Sequence, residues 1–584
     1  MQPATTNLDR LWSLTQRAQK IGTELGAATA AKATGQDFSI VDAQSVGKAY
    51  LHALQELAQR PWQVAAYQQS LWFDVARAWA DAWKGPGESS GDRRFRDPKW
   101  QEDPTSRALR DGHLAIEAAT NRLLKALPQG SKDQLRVEFY TRQLLSALAP
   151  SNFLMLNPAA RERFFETEGQ SLLDGFENLL DDLDEGGRLD IATNDRAAFV
   201  IGRDIATTEG KVVWQTPLMQ LIQYEPTTET QHRRPLLYVP AWINKFYILD
   251  MRPKNSLVRY MLDRGHTVFV ISWVNPGKEH AAMSFEDYMK HGPLAALDAI
   301  ETLTGEKQID ILGFCIGGIL VTATLAYLAA KGDDRIATAT TLATMIDFTD
   351  VGEIGVFIDR DRLDALRTHM ADTGYLENHH LQDMFSMIRE NDLVWSFHVM
   401  NYLMGRRPPA FDLLYWNSDS TRLPAAMLLW YLEKIYIENG LRKPGHLTMD
   451  GTPIDVSKIK TPCFVLATKE DHIAPWTSVY PTTHLLGGEI RFVLGGSGHI
   501  AGVINPPAEK VKYGYWTRDD YPTSAQDWLE GATFTPGSWW PCWAEWLESK
   551  SDGEMVPARH PAPATKGRRK VALESAPGSF VLAP

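Results

Sequence analysis

The sequence predicts an α/β protein: a parallel sheet covered by helices on both faces, preceded by a mainly helical region and interrupted by a helical insertion. Three observations predict it. From about residue 198 onward, short apolar runs alternate with helical windows, the pattern of parallel strands joined by crossover helices. Before that point, apolar residues recur at three- and four-residue spacing, as in Leu11, Leu14, Ala18, Ile21 and Leu25. Within the alternating part, Gly313-Phe314-Cys315-Ile316-Gly317-Gly318 sets a cysteine between glycines where a strand pattern changes to a helix pattern.

The elements follow in order. The helical character runs from Leu8 to about residue 180, and its apolar stripe reads as core or dimer packing. A break rich in Gly, Pro and charge lies between Trp83 and Asp103 and includes Asp92-Arg93-Arg94-Phe95-Arg96-Asp97-Pro98-Lys99-Trp100. The acidic segment 181–187 reads as a linker, with the boundary near 187–198, so a helical N-terminal domain spans 1–190 and a second domain 191–584. In the second domain, strands are expected at 235–239, 267–273, 309–312 and 336–346, with helices at 256–264, 294–304 and 319–330. From about 347 to 445 the strand pattern stops, and helical windows at 381–405 and 425–439 imply an insertion forming a cap over the sheet edge. Strands resume at 461–468 and 489–494 around a helix at 478–486. The tail 552–584 is rich in Pro, Ala and basic residues, and its Lys566-Gly567-Arg568-Arg569-Lys570 cluster reads as a solvated segment.

At 584 residues the chain is expected to hold two domains, and 44% hydrophobic residues supply ample core. A net charge of −12 argues against general affinity for nucleic acid or anionic lipid, although a local basic patch could still hold an acyl-CoA. The three cysteines, Cys315, Cys463 and Cys542, form no CxxC and suit a reducing compartment. The His379-His380 pair lacks plausible metal-ligand company, so no metal is expected. Residues 1–30 lack the basic start, apolar core and cleavage site of a secretory signal, so a cytoplasmic location is expected. The uncharged run 311–330 is long enough to cross a bilayer, but its clustered glycines and missing aromatic belt argue against a transmembrane span. Nucleotide-binding glycine loops and H-E-x-x-H are absent.

The glycine-flanked cysteine carries the chemistry. A sharp strand-to-helix turn holds the thiol above the carboxyl edge of the sheet, and the Ile316 N–H, at a helix N-terminus, is placed to donate to a developing oxyanion. In the α/β-hydrolase fold an acid and a histidine follow the nucleophile in chain order. Asp471 follows the 461–468 strand, and His499 follows the 489–494 strand through Gly495-Gly496-Ser497-Gly498. The roles are then Cys315 as nucleophile, His499 as base and Asp471 as the group that fixes the imidazole tautomer. His472 is the rival base and Asp347 the rival acid. The second oxyanion donor is expected from the loop Pro240-Ala241-Trp242-Ile243-Asn244, with Trp242 and Ile243 as candidates. A thiol attacking a thioester keeps the acyl group activated for a second transfer, which favours acyl transfer over hydrolysis. A cysteine-dependent thioesterase and a scaffold with a vestigial site are the competing readings.

These motifs resemble the polyhydroxyalkanoate synthases, and within them the long class I enzymes. The resemblance rests on the cysteine elbow, on 240–250, on Glu470-Asp471-His472-Ile473-Ala474-Pro475-Trp476 and on Gly496-Ser497-Gly498-His499-Ile500. It extends to Tyr415-Trp416-Asn417, Ser151-Asn152-Phe153 with Asn157-Pro158, and Ser538-Trp539-Trp540-Pro541. It implies a capped α/β-hydrolase domain behind a helical N-terminal domain linked to granule attachment and partner binding. It further implies a homodimer at the surface of cytoplasmic polyester granules, joining (R)-3-hydroxyacyl groups from CoA thioesters, chiefly 3-hydroxybutyryl-CoA, with release of CoA and without a cofactor. Cys315, Asp471 and His499 match the family's catalytic positions, while His472, Asn244, Tyr415, Trp416 and Asn417 are expected to be substrate-binding or auxiliary. Trp242, Trp273, Trp416, Trp430 and Trp476 are candidates to line an apolar acyl passage. The chain departs from the family pattern at Ala241, Val274 and Gly277, near the sheet edge.

Overall fold

The computed structural model describes residues 7–32, 42–85, 88–128, 130–183, 188–562 and 574–583. Its contacts divide the chain into two units: residues 1–196 with 355–357 and 382–411, and residues 197–354 with 358–381 and 412–584.

The second unit is built on a ten-stranded sheet. In chain order its strands are β1 (Gly210–Gln215), β2 (Met219–Tyr224), β3 (Leu236–Val239), β4 (Val268–Trp273), β5 (Ile309–Phe314), β6 (Ile336–Leu342), β7 (Cys463–Thr468), β8 (Ile490–Gly495), β9 (Gly514–Thr517) and β10 (Thr533–Pro536). They lie in the order β1-β2-β4-β3-β5-β6-β7-β8-β9-β10. The six strands from β3 to β8 are parallel, as the alternating pattern predicts. The edges are antiparallel, so the sheet is mixed. The β1–β2 edge escapes a pattern reading because β2 buries Gln220 and Gln223 among its apolar residues. Both are satisfied from the C-terminal part of the chain: Gln220 Nε2 donates to Ser579 Oγ at 3.0 Å and Gln223 Nε2 to the Arg559 carbonyl at 3.0 Å. The described parts of the tail are therefore packed on this edge, while the basic cluster 566–570 lies outside the described residues.

The uncharged run 311–330 resolves into the end of β5, the elbow and all but the last residue of the helix Ile316–Lys331, which is buried from Ile316 through Ala326. A helix apolar all round belongs in a core, and this one packs against the sheet. No helix among the described residues is long and apolar enough to cross a membrane. The predicted helix 478–486 is two short turns, Trp476–Val479 and Thr482–Leu485, because Pro481 between them cannot continue the first.

The first unit is helical: Asn7–Lys32, Ala43–Ala58, Pro61–Asp81, Pro104–Lys125, Lys132–Ala147, Pro158–Glu166 and Gln170–Asp182 are its longer helices. Of the predicted stripe, Leu14 is buried, Ala18 and Ile21 are half-buried and Leu11 is exposed, while the Leu25 side chain lies outside the description. The charged break is a packed bend. Arg94 pairs with Asp92 and Glu117, and the buried rings of Phe95 and Trp100 meet edge to face at 5.0 Å.

The segment 382–411, which the pattern places inside a single insertion, packs with this helical unit. Gln143 Nε2 donates to the Met387 carbonyl at 2.8 Å, Asn178 Nδ2 to the Asn401 carbonyl at 2.9 Å, and the Tyr402 hydroxyl to Asp182 Oδ2 at 2.7 Å. The helix Gln170–Asp182 approaches so closely that a Cβ on Gly175 would lie 1.9 Å from the Tyr402 carbonyl oxygen. Asp182, read in sequence as linker, is thus a buried acceptor, and burial raises its carboxyl above the usual range. Residues 184–187 of that acidic segment lie outside the described residues. In place of one helix over 381–405, Asn378–Ile388 is followed by wider π-turns at Asn391–Trp395 and His398–Leu403.

Candidate active site

β5 delivers the chain to Cys315, which sits at φ 53° and ψ −122° immediately before the helix Ile316–Lys331. A non-glycine residue at positive φ is strained, and the surroundings hold it there. The Cys315 N–H donates to the Leu342 carbonyl at 2.9 Å, and its own carbonyl accepts from the Gly318 N–H at 2.9 Å and from Thr344 Oγ1 at 3.2 Å. A Cβ on Gly317 would lie 2.2 Å from the Val239 carbonyl oxygen, so the elbow seats against the end of β3 only with glycine there. That contact brings the loop after Val239 beside the elbow.

Asp471 and His499 reach each other from the ends of β7 and β8. The two loops are laced together by Lys469 N–H to the Gly495 carbonyl at 2.8 Å and Glu470 N–H to the Ser497 carbonyl at 2.9 Å. Asp471 Oδ1 accepts from the N–H groups of Ile473 and Ala474, both at 2.9 Å. Its Oδ2 accepts from Thr468 Oγ1 at 3.0 Å and lies 2.7 Å from His499 Nδ1. With Nδ1 so committed, Nε2 is the imidazole nitrogen left for other work.

The electrostatics agree with the geometry. Burial pushes the Asp471 carboxyl up, but the charge and hydrogen bond of His499 and the two backbone donors overcome it and hold the group below its ordinary value. Burial pushes the His499 imidazole down, yet Asp471 and then Cys315 outweigh it and hold it well above its ordinary value. Cys315 is thus one of the groups that set the charge state of His499. The His499 ring also lies against Phe314, with centroids 5.3 Å apart. A thiol, an imidazole and a buried carboxylate in this relation can support nucleophilic acyl chemistry.

Comparison with known proteins decides which chemistry the fold serves. Residues 91–261 match the family described as poly-beta-hydroxybutyrate polymerase (PhaC) N-terminus, and residues 234–506 match the alpha/beta hydrolase fold. The chain is 45% identical over 493 residues to a poly(3-hydroxyalkanoate) polymerase of Methylorubrum extorquens, covering 84% of this chain and 80% of that one. It is 41% identical over 542 residues to a poly(3-hydroxyalkanoate) polymerase subunit of Cupriavidus necator, covering 91% and 90%. The chain belongs to the poly(3-hydroxyalkanoate) polymerase family. It is an acyltransferase on an α/β-hydrolase fold, as the elbow and the order of the later residues imply.

Other residues singled out in the sequence of this polymerase fall into two groups. Trp242 and Ile243 occupy the loop beside the elbow, and their carbonyls are held by Thr421 through its hydroxyl and its N–H. Asn244 Nδ2 donates to the carbonyls of Trp416 and Asn417 at 3.4 and 3.3 Å, and Trp416 Nε1 donates to the Lys245 carbonyl at 2.6 Å. Asn244, Trp416 and Asn417 therefore fasten the loop to residues 416–421, and Tyr415 packs edge-on against Phe199. Trp242, Trp273 and Trp430 join one aromatic cluster with Phe285 and Tyr288, whereas Trp416 lies in the core with Phe246 and Tyr247. Trp476 opens a short helix.

The rival acid has a different task. Asp347 accepts from Thr349, Asn439 and Arg442, at 2.6, 2.9 and 2.7 Å, which ties the turn after β6 to the segment near 440. The nitrogen paired with Asp471 belongs to His499, while His472 continues the chain past Asp471. His379 and His380 lie ring to ring at 4.0 Å, and no group of metal-ligating residues occurs among the described residues.

Four residues near the polymerase's elbow escaped the sequence reading. Thr468 supplies the last hydrogen bond to Asp471, and its place three residues before the acid was the available signal. Thr344 braces the Cys315 carbonyl. Tyr431 is buried and Tyr436 half-buried, their rings meet edge to face at 5.4 Å, and burial raises both phenols, with a further push from Cys315. Their approach depends on tertiary packing of the insertion, which no local pattern encodes.

Proposed function

We propose that this polymerase joins (R)-3-hydroxyacyl groups from CoA thioesters, with 3-hydroxybutyryl-CoA as the short-chain substrate, through an acyl thioester on Cys315. The observation that carries the reading is the 2.7 Å contact of His499 Nδ1 with Asp471, which leaves Nε2 to serve the elbow thiol. In the first step His499 Nε2 takes the Cys315 proton, the sulfur attacks the substrate carbonyl, the bond to CoA breaks and the proton leaves with CoA. In the second, the 3-hydroxyl of another acyl-CoA attacks the acyl-Cys315 carbonyl and His499 takes the hydroxyl proton. An ester bond forms, and the Cys315 thiol is released. The lengthened acyl-CoA then exchanges onto Cys315 with loss of CoA. Each step is acyl or proton transfer, so the scheme calls for no cofactor.

The Ile316 N–H, opening a helix, and an N–H of Trp242 or Ile243 are the donors we assign to the oxyanion. We assign Tyr431 and Tyr436, whose rings meet edge to face at 5.4 Å, to the exclusion of water from the acyl-enzyme. We place the enzyme at the surface of polyester granules as a homodimer. The exposed aromatic side chains Trp62, Trp72, Phe73 and Trp83 support a surface-seeking role for the helical unit.

The test is to incubate purified enzyme with (R)-3-hydroxybutyryl-CoA, follow CoA release and identify the acyl product, with Cys315→Ala alongside. Polyester that depends on Cys315 is the expected result. Free hydroxy acid would make the enzyme a thioesterase, and polymer from Cys315→Ala would remove the covalent mechanism.

A further inference from the structure

The loop 240–244 beside the elbow has three of its peptide oxygens held and its first N–H groups free. Trp273, the last residue of β4, donates its indole N–H to the Pro240 carbonyl at 2.9 Å. The Thr421 hydroxyl donates to the Trp242 carbonyl, and the Thr421 N–H donates to the Ile243 carbonyl at 2.9 Å. The N–H groups of Ala241, Trp242 and Ile243 donate to nothing among the described residues. Backbone N–H groups in buried segments are almost always paired, so unpaired ones beside a nucleophile form a donor surface kept for another acceptor.

Thr421 grips this loop on both sides of Ile243. The Trp242–Ile243 peptide is trans, so holding its oxygen on one side fixes the Ile243 N–H on the other. The same hydrogen bond polarises the amide and makes that N–H a stronger donor. Thr421 is itself 4% exposed and braced by its neighbours. Ser420 bridges to Asn244, and the Arg422 N–H donates to Asn275 Oδ1 at 3.0 Å. Asp419 accepts from the Tyr247 hydroxyl at 2.7 Å and pairs with Lys245 at 2.9 Å. A donor fixed before reaction stabilises a developing oxyanion without reorganising during it. Resting on the reading that this loop supplies the second oxyanion donor, we propose that Thr421 is a positioning residue for acyl transfer. It sets the donor loop through its hydroxyl.

The test compares two reactions of Cys315 in full-length protein. Single-turnover CoA release from (R)-3-hydroxybutyryl-CoA passes through an oxyanion. Alkylation by iodoacetamide, followed by mass spectrometry of the Cys315 peptide, displaces iodide and forms none. Thr421→Val keeps the shape and loses the hydroxyl, and its CoA release is expected to fall about 10- to 100-fold, the cost of a misplaced group. Its alkylation is expected to keep the wild-type rate and pH profile, and Thr421→Ser, which keeps the hydroxyl, to restore most of the lost CoA release. Normal CoA release from Thr421→Val, an equal fall in its alkylation, or a Thr421→Ser as slow as Thr421→Val would each overturn the assignment. Should Thr421→Val fail to fold, as judged by circular dichroism, Thr421→Ala against Thr421→Ser decides in its place. Absence of acyl-Cys315 in wild type would overturn the covalent reading itself, and this assignment with it.

Discussion

Nδ1 of His499 stands 2.7 Å from Oδ2 of Asp471, and the other oxygen of that carboxylate is already committed to two backbone N–H groups. The commitment decides what Asp471→Asn does. The asparagine oxygen must face the N–H groups of Ile473 and Ala474, because an amide nitrogen there would meet two donors. Its NH2 then points at His499, which becomes protonated on Nε2 and cannot take the thiol proton. Single-turnover CoA release in Asp471→Asn is expected to fall about 10³- to 10⁴-fold with the fold intact. Asp347→Asn, which disturbs a turn, should stay within about tenfold of wild type. Near-normal release from Asp471→Asn would remove the tautomer argument.

The site was legible because its three residues sit at strand ends, where chain order and a glycine-flanked turn constrain position. Gly317 illustrates why: the residue type reports a backbone approach that only one side chain allows. The six central strands were legible for the same kind of reason, since burial on both faces writes continuous apolar runs. The antiparallel edge was not, because Gln220 and Gln223 are buried and paired from residues more than 300 positions away. Nor was the placement of residues 382–411, because a helical window does not say which helices it meets. Tyr402 finds Asp182 across 220 positions, a match of hydroxyl to carboxylate that no spacing reveals.

His266 should make the protein acid-sensitive. It is 3% exposed, stacked on His232 at 4.4 Å, and neither of its ring nitrogens has a hydrogen-bond partner among the described residues. Burial, His232 and the nearby Arg264 and Arg234 push it down to about 3. A folded value below the unfolded value of about 6.5 means that stability is complete above pH ~6.5 and is lost as pH falls toward 3, at about 1.4 kcal/mol per unit. Asp310, raised to about 6 chiefly by burial, acts in the opposite sense, so the comparison must be with a variant that shares it. Between pH 7 and pH 5, urea unfolding should show wild type losing about 2 kcal/mol more than His266→Phe. Equal losses would show that His266 does not drive the effect.

Gly175→Ala should detach the segment 398–406 from the helix Gln170–Asp182. The new Cβ would sit 1.9 Å from the Tyr402 carbonyl oxygen and 2.7 Å from its carbon, so backbone must move against backbone. Overpacking of this kind costs about 1–3 kcal/mol and more where nothing flexible can yield. Hydrogen exchange is expected to rise across 398–406, where Asn178 otherwise holds the carbonyls of Asn401 and Arg406. Unchanged protection there in the Gly175→Ala variant would mean that the two elements are not held by this contact.

The exposed aromatics of the helical unit should govern adsorption to polyester. Trp62, Trp72, Phe73 and Trp83 are 65–76% exposed, an arrangement that leaves much apolar area in contact with water. Moving one such ring from water into an apolar surface is worth about 1.5–3 kcal/mol when complete, so several acting together give strong adsorption even if each is half covered. Replacing the four with glutamine should cut partitioning onto poly(3-hydroxybutyrate) particles at least tenfold, corresponding to about 1.4 kcal/mol. CoA release from soluble substrate should change far less, because none of the four belongs to the elbow, to Asp471 or to His499. Analytical ultracentrifugation of the same variant separates the other use of an apolar face, since a dimer held by these rings would dissociate. Unchanged partitioning by the glutamine variant would place granule contact on another surface.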